Sequence, residues 1–297
     1  MRPAIRLVLG FSPGSASDRI ARAIAPALSR ELGKPIDIEL RPGNNGAHAA
    51  CEVANSAADG HTLFMATLGT HALAPHLDTS LPYDPLQHFT PVSLVASAPL
   101  VLACHGALGV ANTRELIELA RKHPGTLTYG TSARGGAPHL AAELFQSDAG
   151  IEMQHVRYDQ TERLYEDLEA GRISLSFNNM MSMLPRCNGG ALKALAVTSA
   201  RRSAAAEDLA TIAEAGLAGY DISNWLGLVA PKATSSTVIG ALREATSAAL
   251  ATAEVGNAFR AAGVTPCGGT AAEFAEFIAR EITRWGPVVA RFREKDV

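Results

Sequence analysis

One local device occurs three times along this chain and constrains its fold more than any other feature. An apolar, strand-like run ends in a turn of small residues, and a helix-like stretch begins directly after it. It is present at "LVLGFSPGSASD" (7–18), in shorter form at "FMATLGTHAL" (64–73), and at "LTYGTSARGGAPHL" (127–140). A chain that alternates strand and helix in this way reads as α/β with largely parallel sheets. Each turn also opens a helix N-terminus, where unpaired backbone N–H groups and the positive end of the helix dipole favour an anion. Two copies lie in the first third and one near the middle, so they fit two lobes facing one cleft.

Between these devices the pattern is regular. Ile20, Ile24, Ala27 and Leu28 form a helical stripe, with Ser17 and Asp18 as suitable N-caps and Pro26 as an expected bend. Gly33-Lys34-Pro35 closes that helix, and Ile36–Leu40 reads as a strand. Asn112 and Glu115 have the spacing of a capping box, and Gly171 suits the C′ position after "TERLYEDLEA". "RISLSF" and "ALKALAVTS" read as strands. The C-terminal part reads as helices over 235–252, 254–262 and 271–295, the last kinked at Pro287.

Composition narrows the function. With 47% apolar and 19% charged residues, the 297-residue chain can bury a substantial core. A net charge of −3 and an aromatic share of 5% disfavour a nucleic-acid partner. No apolar run is long enough to span a bilayer. Cys51, Cys104, Cys187 and Cys267 lie far apart without C-x-x-C spacing, so no metal site is expected. Spacing leaves disulfides open. Met1-Arg2-Pro3 leads straight into a strand-like run, so the chain is either cytosolic or an exported protein without its leader.

Gly10-Phe11-Ser12-Pro13-Gly14 spells G-x-S-x-G, the nucleophile-elbow pattern of serine hydrolases. The residue after such a serine supplies an oxyanion N–H, and here it is Pro13, which has none. Losing one such donor costs roughly 3–4 kcal/mol of transition-state stabilisation. Neither G-x-x-x-x-G-K-[ST] nor G-x-G-x-x-G is present, so the turns carry nothing specific for ATP or NAD. A carboxylate suits them better. Arg134 is the one cation inside the turns: either it pairs bidentately with a ligand carboxylate or it is solvated. His71 and His139, near helix starts, read either as ligand contacts or as local structure. Asn178-Asn179 follows a strand, where a ligand or a plain turn fits, and Trp225 reads as cleft wall or core packing.

The residues also resemble a known family across essentially the whole chain. "IRLVLGFSPGSASDRIARAIAPALSRELGKPIDIELRPGNNGA", "ADGHTLFMATLGTHALAPHL", "LPYDPLQHFTPVSLVAS", "ARKHPGTLTYGTSARGGAPHLAAELF", "LKALAVTSARRS", "TIAEAGLAGYDISNWLGLVAP" and "GGTAAEFAEFIAREITRWGPVV" occur in the family's order. They are similar to the Bug-type solute-binding proteins, the extracytoplasmic receptors of tripartite tricarboxylate transporters. The resemblance implies a two-lobed periplasmic-binding-protein (Venus flytrap) fold with a ligand cleft between lobes. One lobe would comprise 1–100 plus 226–297 and the other 101–225. It implies a monomeric, non-catalytic periplasmic receptor that uses no cofactor. Its partners would be a small carboxylate and the membrane subunits of the transporter. The alternatives are a receptor-like sensor and, further off, a hydrolase using Ser12.

Carried over from the family, the first turn holds a carboxylate through Phe11, Ser12, Pro13, Gly14 and Ser15, and the second maps to Thr67, Leu68, Gly69, Thr70 and His71. The other lobe contributes Ser132, Ala133, Arg134, Gly135, Gly136, Ala137 and His139, with Asn178 and Asn179. Three positions depart from the family pattern. Gly14-Ser15 stands for Gly-Gly, Phe177-Asn178-Asn179 for F-D-N, and His155-Val156-Arg157-Tyr158-Asp159-Gln160 for H-V-P-Y-K-G. The missing aspartate at 178 removes a partner for an amino group, which favours an acid without one, with Arg134 available for a second carboxylate.

Overall fold

The computed structural model describes residues 4–132 and 136–294, with side chains to residue 290. The chain divides into two compact units, one of residues 1–97, 225–260 and 264–297, the other of residues 98–224 and 261–263.

The first unit begins with β1 (Ile5–Leu9), α1 (Ala16–Leu32), β2 (Ile36–Leu40), α2 (Ala47–Ala54) and β3 (Thr62–Thr67). β1 pairs in parallel with β2 and β3. Leu7, Val8 and Leu9 are fully buried, as a strand covered on both faces requires. A π-helical turn (Gly69–Leu73) leads into α3 (Ala74–Leu77), and β4 (Phe89–His105) carries the chain into the second unit.

The second unit continues with α4 (Thr113–Lys122), β5 (Thr128–Thr131), α5 (Ala137–Ala149), β6 (Gln154–Arg157), α6 (Thr161–Glu169), β7 (Leu175–Asn179), α7 (Met180–Cys187) and β8 (Leu192–Val197). β5 pairs in parallel with β6 and β7, while β4 lies antiparallel to β7 and to β8. β9 (Ser223–Pro231) returns the chain to the first unit and pairs antiparallel with β3. α8 (Ser236–Leu250), α9 (Ala253–Ala261), β10 (Thr265–Gly268) and α10 (Ala271–Glu294) follow, with β10 antiparallel to β4.

The sheets are therefore mixed rather than largely parallel. The βα devices give the parallel pairs. The long strands β4 and β9, which pass between units, enter antiparallel to their neighbours. Three other expectations change. Ser15, not Ser17 or Asp18, caps α1. Pro26 sits inside α1 without ending it, on the exposed face, where water can reach the carbonyl left unpaired. Asn178 and Asn179 form the end of β7 and the N-cap of α7 rather than a plain turn. The capping box at α4 forms as read: the Glu115 N–H donates to Asn112 Oδ1 at 3.0 Å.

Trp225 is core. It lies edge-on to Phe274 and Phe277 of α10, with ring centroids 5.8 and 5.4 Å away. Its indole N–H donates to Glu281 Oε2 at 3.1 Å, and Trp285 donates to the same oxygen at 2.9 Å. Two residues along β9, Gly227 has no side chain because the Phe274 ring occupies that space, 2.1 Å from where a Cβ would stand. These contacts fix β9 to α10. Glu281→Ala leaves two buried indole N–H groups unpaired and is expected to lower unfolding free energy by about 2–5 kcal/mol, read from urea titration.

Candidate functional site

The β1–α1 turn is built on a backbone-to-backbone approach. A Cβ on Gly10 would lie 2.5 Å from the Gly46 Cα. Phe11 and Ser15 are half-buried, and Ser12, Pro13 and Gly14 are exposed. Gly14 takes the left-handed region with φ +78°. The Ser15 N–H donates to the Ser12 carbonyl at 3.2 Å, and Ser15 Oγ accepts from the Asp18 N–H at 3.3 Å. Asp18 is buried, accepts the Gly14 N–H at 2.8 Å and pairs with Arg22 at 2.7 Å. The turn thus already holds one carboxylate from its own chain. Ala16 and Ser17, in the first helical turn, have N–H groups with no intrahelical acceptor.

The second turn is closed on itself. Thr70 Oγ1 accepts the Thr67 N–H at 3.0 Å, Thr67 Oγ1 accepts the Thr70 N–H at 3.2 Å, and the Tyr83 hydroxyl donates to the Thr70 carbonyl at 2.7 Å. Thr67, Leu68, Thr70 and His71 are buried; Gly69 alone of the five is partly open. The His71 ring packs among Phe64, Phe89 and Tyr83. Its Nδ1 lies 3.0 Å from Thr70 Oγ1, and its Nε2 is buried without a partner. Burial pushes the imidazole down to about 3, so it is neutral. An unpaired acceptor costs less than an unpaired N–H, which favours the tautomer with the proton on Nδ1, donating to Thr70. The side chains of this turn position backbone, and what the turn presents is Gly69.

The loop that joins these turns carried no functional reading. Gly43, Asn44, Asn45 and Gly46 all have positive φ: +145°, +44°, +49° and +88°. Glycine and asparagine are the residues that tolerate this. Gly46 packs on Gly10 on one side, and its missing Cβ would meet Thr70 Cγ2 at 2.7 Å on the other. The structure thereby brings the turns at 11–15 and 67–71 together. The four consecutive residues Gly-Asn-Asn-Gly were the available signal.

In the second unit, Ser132 is half-buried at the end of β5, and Gly136 and Ala137 begin α5. Ala133, Arg134 and Gly135 lie outside the described residues. His139 is buried and stacks on His155 at 4.4 Å, while His155 stacks on Tyr129 at 4.9 Å. Thr131 Oγ1 lies 2.7 Å from His155 Nε2, and the Tyr129 hydroxyl donates to Glu143 Oε1 at 2.5 Å. His139 thus belongs to a stack that ties α5 to β5 and β6. Asn178 is oriented by a short relay. The Ser176 hydroxyl donates to the Gly130 carbonyl at 2.8 Å, so its oxygen accepts from Asn178 Nδ2 at 2.9 Å. Asn179 caps α7 without a side-chain hydrogen bond.

Two α/β units, with β4 and β9 passing between them and small-residue turns at helix starts, suit a solute-binding protein. The comparisons agree. The model of the tripartite tricarboxylate transporter family receptor matches residues 20–293, and the chain belongs to that family. It is 34% identical to protein BugT of Bordetella pertussis over 96% of this chain and 88% of that protein. Among solved structures it is similar to R. palustris Rpa4515 with adipate (TM-score 0.87, 35% identity, 97% and 96% of the two chains). It is also similar to MatC (Rpa3494) from Rhodopseudomonas palustris with bound malate (TM-score 0.83, 28% identity, 96% and 98%). The chain is a Bug-type receptor with the two-lobed periplasmic-binding-protein fold.

Two outcomes follow. Because His71 is held neutral when folded and titrates near 6.5 when unfolded, the unfolded chain binds the extra proton between those values. Stability should therefore fall as pH drops from about 6.5 towards 3. His71→Phe should remove about one proton from that slope, measured by urea unfolding across pH. Gly10→Ala should separate β1 from Gly46 and lower the melting temperature by several degrees, as overpacking costs about 1–3 kcal/mol.

Proposed function

We propose that this chain is a periplasmic, monomeric receptor that captures a small organic acid lacking an amino group and delivers it to the membrane subunits of a tripartite tricarboxylate transporter. The observation that carries this reading is the β1–α1 turn. Its exposed small residues stand before unpaired helix-start amides, which suits a carboxylate and needs no cation. In sequence the segment between β5 and α5 repeats the device in the second unit, with Arg134 for a second carboxylate. A ligand engaging both turns would shift the population towards a closed form. Adipate and malate, held by the two structural relatives, are the reference ligands. Among the described residues no helix is long and apolar enough to cross a membrane.

Asn178 sets the chemistry on the second unit's side. One Nδ2 hydrogen goes to Ser176, which leaves one N–H and a neutral carbonyl where an aspartate would carry the charge that attracts an ammonium group. The hydrolase reading gains nothing from the structure. Pro13 has no N–H, and the next one, from Gly14, is taken by Asp18.

A thermal-shift screen of mono-, di- and tricarboxylates tests the reading. A specific acid at about 100 times its Kd should add roughly 2.7 kcal/mol of stability, and no response to any carboxylate would sink it. Asn178→Asp should weaken binding of a diacid by about tenfold or more through like-charge repulsion, and should admit an amino acid. Calorimetric titration reads both effects.

A further inference from the structure

The chain passes between the two units at Ser97–Ala98 within β4, at Asn224–Trp225 within β9, and on either side of Ala261–Gly263. Inside the second unit a buried residue touches β4 and the segment that leads into β9, a few positions from the first two of these passages. Thr198, just after β8, is fully buried. Its backbone N–H donates to the Leu100 carbonyl at 3.0 Å, and the Ile222 N–H donates to its carbonyl at 2.9 Å. Its side chain adds a second link to each. Oγ1 accepts the Leu100 N–H at 2.8 Å and lies 2.7 Å from the Ile222 carbonyl and 3.2 Å from that of Leu100. A hydroxyl has one proton, and the shorter contact takes it, so Oγ1 accepts from the outgoing strand and donates to the segment that leads into the return strand. Valine would fill this space equally well, but only a hydroxyl makes both bonds.

We infer that Thr198 is a positioning residue for ligand capture, locking the outgoing and returning chain together on the second unit's side of the passages. Beyond the return passage the chain is held again at Trp225, by Glu281. On the outgoing strand Ser97 pairs with Thr265 of β10, so the stretches left between fixed points on these two strands are Ala98–Pro99 and Ser223–Asn224. On β4 and β9, backbone change that accompanies binding falls in these stretches. Pro99 fixes its own φ, which narrows the freedom of the outgoing stretch further. This inference rests on the receptor reading for its link to binding.

The experiment compares wild type with Thr198→Val and Thr198→Ser by residue-resolved amide hydrogen exchange without ligand, and by calorimetric titration with adipate well below each melting temperature. Thr198→Val should speed exchange of the Leu100 amide by about tenfold and raise the adipate Kd severalfold, and Thr198→Ser should restore both. An unchanged Leu100 rate, or a lower melting temperature with unchanged Kd, would overturn the assignment. Should Thr198→Val fail to fold, wild type decides. Adipate should alter exchange at Ser223 and Asn224 while Leu100 and Ile222 stay protected, and equal change at all four contradicts it. If wild type takes up no carboxylate, the receptor reading fails by itself, and the ligand-free comparison with Thr198→Ser still decides whether the hydroxyl locks the strands.

Discussion

Gly10 and Gly46 meet backbone to backbone, and the turns of the first unit take their positions from that contact. With any side chain at either position, the β1–α1 turn would stand off from the left-handed Gly43–Gly46 loop. The same Gly46 packs on Thr70, so the π-helical turn is located by the same approach. The strained loop holds its conformation because glycine and asparagine make four consecutive positive φ values tolerable. Asn44 and Asn45 stand at the exposed positions, and Gly46 at the buried one, where no side chain fits.

The alternation of strand and helix was legible because each βα device carries its own signals: an apolar run, small residues, then a helical stripe. The antiparallel entry of β4 and β9 was not. Their long apolar runs resemble any buried strand, and direction is set by which unit the chain must reach next, a non-local fact. β6 and β10 escaped notice for a different reason. Each has four residues and is largely exposed, so neither carries the hydrophobic alternation that marks a strand. α7 was hidden behind Pro185, which falls in its last turn.

For the site, sequence located the turns better than it located roles. Ser12, Pro13 and Gly14 stand exposed, as a turn open to a ligand requires. His71 and His139 read equally well as ligand contacts or as structure. The structure buries both, one in an aromatic pocket and one in a stack with His155. Burial of this kind depends on residues distant in sequence, Phe89 and His155 among them, and no local pattern announces it. Asp18 is the instructive case. As a cap candidate it looked ordinary. In place it is a carboxylate already seated at the turn, which shows that the turn suits such a group and limits what a second one can still bind.

The tryptophans carry a consequence of another kind. The chain has two, Trp225 and Trp285, and their indole nitrogens share one oxygen of Glu281. All of the protein's tryptophan emission therefore comes from one spot, beside the point where the chain re-enters the first unit. The native molecule is built with a single optical reporter, placed beside the return passage and shielded from water. A change in its colour or lifetime would speak for the seam between β9 and α10.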